Sequence, residues 1–294
     1  PTKLLWGHDL LWVFMKILFN KLFLEHNPEC EFEGAYRIKN FTNLPDTLGT
    51  KGAEYLELVH PKKYIQKIKR ACECKSTMAE IKLSPVSFKS ACLAVDLTVQ
   101  ASEQNNFAVV RPPGHHAKID QASGFCLFNN IAIATQKLIN NGKKVFILDI
   151  DGHHGDGTQS IFYKTDKVFF CSIHQDDTFP GSGKPDETGI LEGANFSLNI
   201  PLPSNSGDQE FLSAVALAIK RAKEFKPDVV AVSTGFDGYT KDKLLNLDYT
   251  LEAYYECGKK LKNNFKNIFG VLEGGYHNEV KECLDRFISG INEN

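Results

Sequence analysis

The stretch Val145-Phe146-Ile147-Leu148-Asp149-Ile150-Asp151-Gly152-His153-His154-Gly155-Asp156 sets the terms for reading the whole chain. Its first four residues are apolar without alternation, the pattern of a strand covered on both faces, and such strands belong to parallel sheets packed between helices. The eight residues that follow hold three carboxylates and two imidazoles. On extended chain Asp151 and His153 share a face and present an oxygen and a nitrogen ligand to one point, a pairing that suits a borderline divalent ion such as zinc. The alternative is a solvated acidic junction between strand and loop, which leaves three carboxylates repelling one another with no cation among them.

Working outward, residues 107–110, 168–173, 229–234 and 268–272 repeat the apolar, β-rich pattern of 145–150. Between them lie helical patterns over 127–141, closing at Gly142, over 209–225, opened by Asp208 and closed before Pro227, and over 251–265. The alternation is that of βαβ units wound around one sheet. The first hundred residues are mainly helical, with 54–70 and 88–101 the clearest elements. The run 10–24 is apolar but interrupted by Lys16, Asn20 and Lys21 and lacks a small-residue cleavage site, so it reads as an amphipathic helix and not as a membrane span or leader. No repeat, low-complexity tract or linker divides the chain, and the expectation is a single α/β domain over 1–294 with a central, mainly parallel sheet flanked by helices.

Composition excludes several classes of function. With 294 residues, 42% of them hydrophobic, and a formal net charge of -2, the chain can bury a full core but shows no basic excess pointing to nucleic acid as a direct ligand. Eight cysteines, at 30, 72, 74, 92, 126, 171, 257 and 283, lack paired metal-type spacing. They fit a soluble protein of a reducing compartment, the cytoplasm or a eukaryotic nucleus, better than a disulfide framework.

Each apolar run is followed by a different chemical phrase: Arg111-Pro-Pro-Gly-His115-His116, then Asp151 to Asp156, then His174-Gln175, then Gly235-Phe236-Asp237, then Glu273-Gly274-Gly275-Tyr276. In open parallel α/β sheets ligands bind beyond the carboxyl ends of the strands, so five phrases converge on one site.

Together with Gly124-Phe125-Cys126 and Phe179-Pro180-Gly181-Ser182-Gly183, these phrases resemble, in this order, the zinc-dependent histone deacetylase superfamily, which also contains acetylpolyamine amidohydrolases and acetoin-utilisation proteins. The resemblance runs from about Tyr55 to Tyr276, and the Phe-Asp and Glu-Gly-Gly-Tyr variants are closer to the class II and polyamine branches than to class I. It implies an arginase/deacetylase-like fold and hydrolysis of an acetyl amide by metal-activated water. Asp151, His153 and Asp237 match the metal ligands of the family, for one catalytic zinc ion, with iron(II) tolerated by the same set. His115 and His116 match its tandem histidines, Asp149 and Asp156 the carboxylates behind them, with His116 as general base and later acid. Tyr276 matches the donor to the tetrahedral oxyanion, and Gly124, Phe125 and Phe179 the walls around a long alkyl stem. Read without the resemblance, Tyr276 is equally a core or rim residue, and each phenylalanine an ordinary core residue.

The resemblance also implies structural potassium, held by Asp149, Ser172 and Ile173 with backbone near Asp151 and His153, and at a second place by Phe162, Thr165, Val168 and Phe196. For the substrate it leaves a choice. Leu244 stands where polyamine-preferring relatives carry a glutamate, which favours acetyl-lysine of proteins or peptides over acetylpolyamines and leaves open whether histones are among them. Against this, the rim aspartate that holds peptide backbone has no match in 78–85 beyond Glu80. The usual Gly-Asp-Pro is replaced by Lys241-Asp242-Lys243, Gly152 stands where a larger apolar residue is common, and before Tyr55 only His26-Asn27-Pro28-Glu29 and Arg37 echo the family's opening.

Rival chemistries lack their residues. Gly181-Ser182-Gly183-Lys184 resembles a phosphate loop, but Thr178 and Pro185 break the Walker pattern. Cys126 reads as a packing cysteine at the start of an apolar helix, and there is no Gly-x-Ser-x-Gly elbow. A two-metal arginase-like hydrolase needs further carboxylates. A degenerate scaffold that binds acetyl-lysine without turnover is the remaining alternative, and against it every ligand, histidine, carboxylate and tyrosine of the pattern is present.

Overall fold

The computed structural model describes residues 14–26 and 30–293. In chain order its strands and helices are β1 (Ile17–Leu18), α1 (Gly52–Tyr55), α2 (Lys62–Glu73), β2 (Thr77–Met78), β3 (Ile81–Lys82), α3 (Pro85–Gln104), β4 (Phe107–Ala108) and α4 (Asn130–Asn140). They continue as β5 (Val145–Asp149), α5 (Asp156–Phe162), β6 (Val168–Gln175), β7 (Ser197–Leu202), α6 (Asp208–Phe225), β8 (Val229–Thr234), α7 (Leu251–Asn264), β9 (Ile268–Leu272) and α8 (Val280–Ile291). Seven strands form one sheet in the order β1-β4-β9-β8-β5-β6-β7, every neighbouring pair parallel. Strands β5, β6, β8 and β9 are buried along their whole length, which explains why their sequences are apolar without alternation until polar residues appear toward the carboxyl ends of β5, β6 and β8. Helices α3 and α4 pack together and lie against β4, β9, β5 and β8, while α6 lies against β5, β6 and β7 and continues through α7 to α8.

This topology locates the site. From β5 the chain runs through β6 to β7 on one side of the sheet, and then crosses back to add β8 and β9 on the other. The β5/β8 boundary is therefore a topological switch point, where loops leave in opposite directions and open a crevice.

Several elements differ from the sequence expectation. In place of an amphipathic helix over 10–24, the described part holds β1 and a 3-10 turn at Lys21–Glu25; residues 10–13, and 27–29 of the opening motif, lie outside the described residues. Asn20 explains the turn, since its side chain accepts the Leu22 N–H and caps it. The helix expected over 54–70 is broken before Pro61, whose missing N–H and restricted φ suit a new helix start. Asp208 is the first residue of α6 and not its cap, because its carboxylate is taken by the Thr250 N–H and hydroxyl. Cys126 precedes α4 by a turn, with Asn129 as the cap. Strand β7 carries no continuous apolar signal: Asn199 and Pro201 interrupt it, which a sheet tolerates only at its edge.

Candidate metal centre and its pocket

Strand β5 delivers Asp151 and His153 just beyond its end, and β8 delivers Asp237 through the turn Gly235-Phe236. One ligand atom from each of the three lies within 4.8 Å of the others, and all three side chains are buried. One oxygen of each carboxylate is fixed by backbone: Gly274 N–H donates to Asp151 Oδ2 at 2.7 Å and Gly152 N–H to Asp237 Oδ1 at 2.6 Å. His153 turns Nδ1 to Asp237 Oδ2 at 2.7 Å. Burial and the neighbouring Asp151 charge hold the Asp237 carboxyl well above the ordinary carboxylate range. Two crowded carboxylates and an imidazole in a dry site are a donor set that fits a borderline divalent cation, whose charge relieves their repulsion. The turn that brings them together needs little side chain. A Cβ on Gly152 would stand 2.3 Å from Leu245 Cδ1, so Leu245 fills the space that a larger residue would take from position 152.

Behind this cluster stand the two histidines of the loop after β4. His115 Nδ1 lies 3.0 Å from Asp149 Oδ2 and His116 Nδ1 lies 2.8 Å from Asp156 Oδ1, their rings 3.9 Å apart. An ionised carboxylate only accepts, so each Nδ1 carries a proton and each Nε2 faces away from its aspartate. Burial, and then the charge of His115, push His116 down to about 3, which leaves its Nε2 lone pair free at neutral pH. Burial also opposes charge on His115, but Asp151 and Asp149 outweigh it and raise that ring above its ordinary value. The adjacent imidazoles are thus pulled in opposite directions. Lys118 completes the shell, 3.0 Å from the second oxygen of Asp156.

Tyr276 enters from the loop after β9. Its N–H donates to Asp242 Oδ2 at 2.6 Å, and the guanidinium of Arg37 stacks 5.0 Å from its ring centre. Arg37 also donates to the carbonyls of Glu273 and Gly275, so a residue far back in the chain steadies the tyrosine loop. Glu33 sits fully buried between Arg37 and Arg111 and ties that loop to the start of the histidine loop. Asp242 keeps a carboxylate within the altered Lys-Asp-Lys segment and accepts the Leu244 N–H as well.

His116, His153 and Tyr276 line one cavity of about 260 Å³ with Gly124, Phe125, Thr178, Phe179, Leu244 and Glu80. Phe179 meets His116 edge-on at 5.0 Å and Phe125 meets Tyr276 at 5.8 Å, giving the cavity aromatic walls. Gly124 has φ +52°, and a Cβ there would stand 2.4 Å from His116 Cδ2, so the chain must be glycine where it skirts the imidazole. Glu80 arrives on the tip of the β2–β3 hairpin, which docks by Gly124 N–H to Glu80 Oε2 at 2.9 Å and Phe125 N–H to the Ala79 carbonyl at 3.0 Å. No sequence periodicity marks so short a hairpin.

The remaining residues singled out in the sequence lie away from the cavity. Asp149 and Ser172 are register partners at the ends of β5 and β6, with Ile173 next to them, and Ser172 Oγ pairs with His174 Nδ1 at 2.9 Å. Phe162, Thr165 and Val168 follow one another through the turn from α5 to β6, and the Phe196 carbonyl bonds β6 at Phe170. Cys126 is buried with its thiol on the Gly124 carbonyl, and all eight cysteines are free. Among the described residues no helix is long and apolar enough to cross a membrane.

A buried Asp-His-Asp cluster at the switch point of a parallel sheet, backed by two histidine–aspartate pairs, is a donor set and proton-transfer array suited to metal-assisted hydrolysis. The histone deacetylase domain family matches residues 40–291, and the chain belongs to that family. It is 33% identical over 301 residues to the chloroplastic histone deacetylase 14 of Arabidopsis thaliana, an alignment covering 87% of this chain and 71% of that protein. It is 38% identical over 201 residues to an acetylpolyamine amidohydrolase of Burkholderia pseudomallei, covering 67% of this chain and 59% of that protein. The crystal structure of the HDA15 HD domain superposes with a TM-score of 0.86 at 26% identity, covering 95% of this chain and 88% of that one.

Proposed function

We propose that this deacetylase removes acetyl groups from lysine side chains of proteins, with Asp151, His153 and Asp237 holding one zinc ion and His115, His116, Asp149, Asp156 and Tyr276 performing the chemistry. The observation that carries the reading is that His116, His153 and Tyr276 line a single apolar-walled cavity. When bound, the ion polarises the acetyl carbonyl and lowers the pKa of water. Neutral His116 takes the proton of the attacking water on Nε2 and later passes it to the departing amine, so that amide and water become acetate and amine. Asp156 fixes the tautomer that makes this possible. His115, held by Asp149, acts mainly through its electrostatics, and the phenol of Tyr276 donates to the developing oxyanion. By the same family resemblance iron(II) would suit the same ligands, and structural potassium would lie near Asp149, Ser172 and Ile173 and around Phe162, Thr165, Val168 and Phe196.

Phe125, Phe179 and Leu244 favour an apolar, unbranched stem such as that of lysine, and Glu80 places an acceptor at the mouth for a peptide N–H. The same carboxylate favours a second reading, an acetylpolyamine substrate whose ammonium would pair with it. Turnover of an acetyl-lysine peptide and of N-acetylputrescine by zinc-loaded protein, with Asp151→Ala and Tyr276→Phe as controls, separates them. Peptide preference lost in both variants supports the lysine reading and diamine preference the second. Turnover of neither rejects both in favour of a binding scaffold or a different acyl substrate.

A further inference from the structure

Glu273 is fully buried, carries no role in the chemistry above, and makes contacts that no other side chain of the site makes. Its Oε2 accepts two consecutive backbone N–H groups of the histidine loop, from Gly114 at 2.6 Å and from His115 at 3.1 Å. Its Oε1 accepts the hydroxyl of Ser233 at 2.9 Å, on β8, whose following turn delivers Asp237. The backbone that follows is equally committed: Gly274 N–H holds Asp151, the Gly274 carbonyl holds Phe236 N–H, and Tyr276 N–H holds Asp242. The carboxylate is therefore the one side-chain bridge, among the described residues, from the tyrosine segment to the peptide groups of the histidine loop.

We infer that Glu273 is a positioning residue that sets the distance between His116 and the phenol of Tyr276 by bridging their two loops. This rests on the deacetylase reading above. The bridge is a matter of reach and hydrogen-bond acceptance, and the arrangement shows what can replace it. Both N–H donors converge on one oxygen. A glutamine amide can put its carbonyl there, and its NH2 can donate to the Ser233 hydroxyl, which accepts as readily as it donates. Aspartate keeps the charge but falls one methylene short of spanning Gly114 and Ser233. Glutamine should therefore serve and aspartate should not, the reverse of what a purely electrostatic role demands.

The test compares Glu273→Gln, Glu273→Asp and Glu273→Ala in the zinc-loaded full chain, by steady-state kinetics on whichever acetyl substrate the wild type turns over. Zinc content and amide hydrogen exchange of the peptide spanning 111–117 are measured alongside. Glutamine should hold kcat and KM within about 3-fold of wild type. Alanine and aspartate should lose kcat by about 100-fold with KM within about 3-fold, the scale expected when reacting groups are misplaced by about 1 Å. Exchange of 111–117 should quicken in those two variants alone, with zinc unchanged. If alanine fails to fold, the glutamine–aspartate order still decides. The inference is overturned by glutamine as impaired as aspartate, by full kcat in aspartate or alanine, or by losses that track zinc content. A wild type inactive on every acetyl substrate removes the deacetylase reading, while the exchange pattern still reports the bridge.

Discussion

Replacing Glu33 with alanine is the most demanding perturbation that the structure suggests away from the reacting groups. Among the described residues Glu33 is the single carboxylate between two fully buried guanidiniums: its Oε1 lies 3.0 Å from Arg37 Nη1 and 2.6 Å from Arg111 Nε, and its Oε2 lies 2.9 Å from Arg111 Nη2. Burial alone would push its carboxyl up, yet Arg111 and then Arg37 hold it below the ordinary value. Alanine would leave two positive charges in a dry site. Arg37 would keep the Glu273 and Gly275 carbonyls, and Arg111 the Phe23 and Glu33 carbonyls, but neither would keep a counter-ion. Breaking a buried pair from one side costs about 3–5 kcal/mol. With a urea m-value of about 3 kcal/mol/M, the unfolding midpoint should fall by about 1–2 M. Because Arg37 supports the Tyr276 loop and Arg111 opens the histidine loop, kcat should fall as well. Equilibrium urea unfolding at pH 7, followed by circular dichroism, reads the stability term. A loss below about 1 kcal/mol would falsify the claim that Glu33 neutralises the pair.

Tyr276→Phe removes only a hydroxyl and should lower kcat by about 100-fold or more at nearly constant KM and unfolding midpoint; a change confined to KM would assign the phenol to substrate binding. Asp151→Asn should bring zinc per chain, measured by elemental analysis after dialysis, close to zero, and retention of a full equivalent would show that the ligand set is wrong. Acid should destabilise the fold through His60, which burial pushes down to about 4. Its neutral ring is the one that fits, with Nδ1 on the Ile119 carbonyl at 2.9 Å and Nε2 accepting the Asn129 N–H at 3.0 Å. Below the ordinary histidine pKa of about 6.5 the unfolded chain binds a proton that the folded chain refuses, so stability is complete above neutrality and lost between about pH 6.5 and 4, by about 2 kcal/mol at pH 5. Unfolding at pH 7 and pH 5 should show His60→Gln losing about 2 kcal/mol less than wild type, and equal losses would remove His60 as the cause.

The sequence by itself determined the sheet and the family. Strands buried on both faces must be continuously apolar, so 145–150, 168–173, 229–234 and 268–272 declared themselves, and ligands in parallel α/β sheets gather where such runs end. The local phrases Asp151-Gly-His153, Gly235-Phe-Asp237 and Glu273-Gly-Gly-Tyr276 were legible for the same reason, since each chemical group sits beside the strand that delivers it. What the sequence does not encode locally is long-range pairing of single side chains. The salt bridge of Glu33 with Arg111 spans 78 residues, the bond of Glu273 to Gly114 spans 159, and the hold of Arg37 on Gly275 spans 238. None belongs to a repeating pattern. Edge strand β7 and the hairpin carrying Glu80 are hidden for a related reason: an edge needs no apolar continuity, and a two-residue strand has no period. Tertiary structure alone decided which loops lock together, because that is fixed by where the buried charges of distant segments find their partners once the sheet has closed.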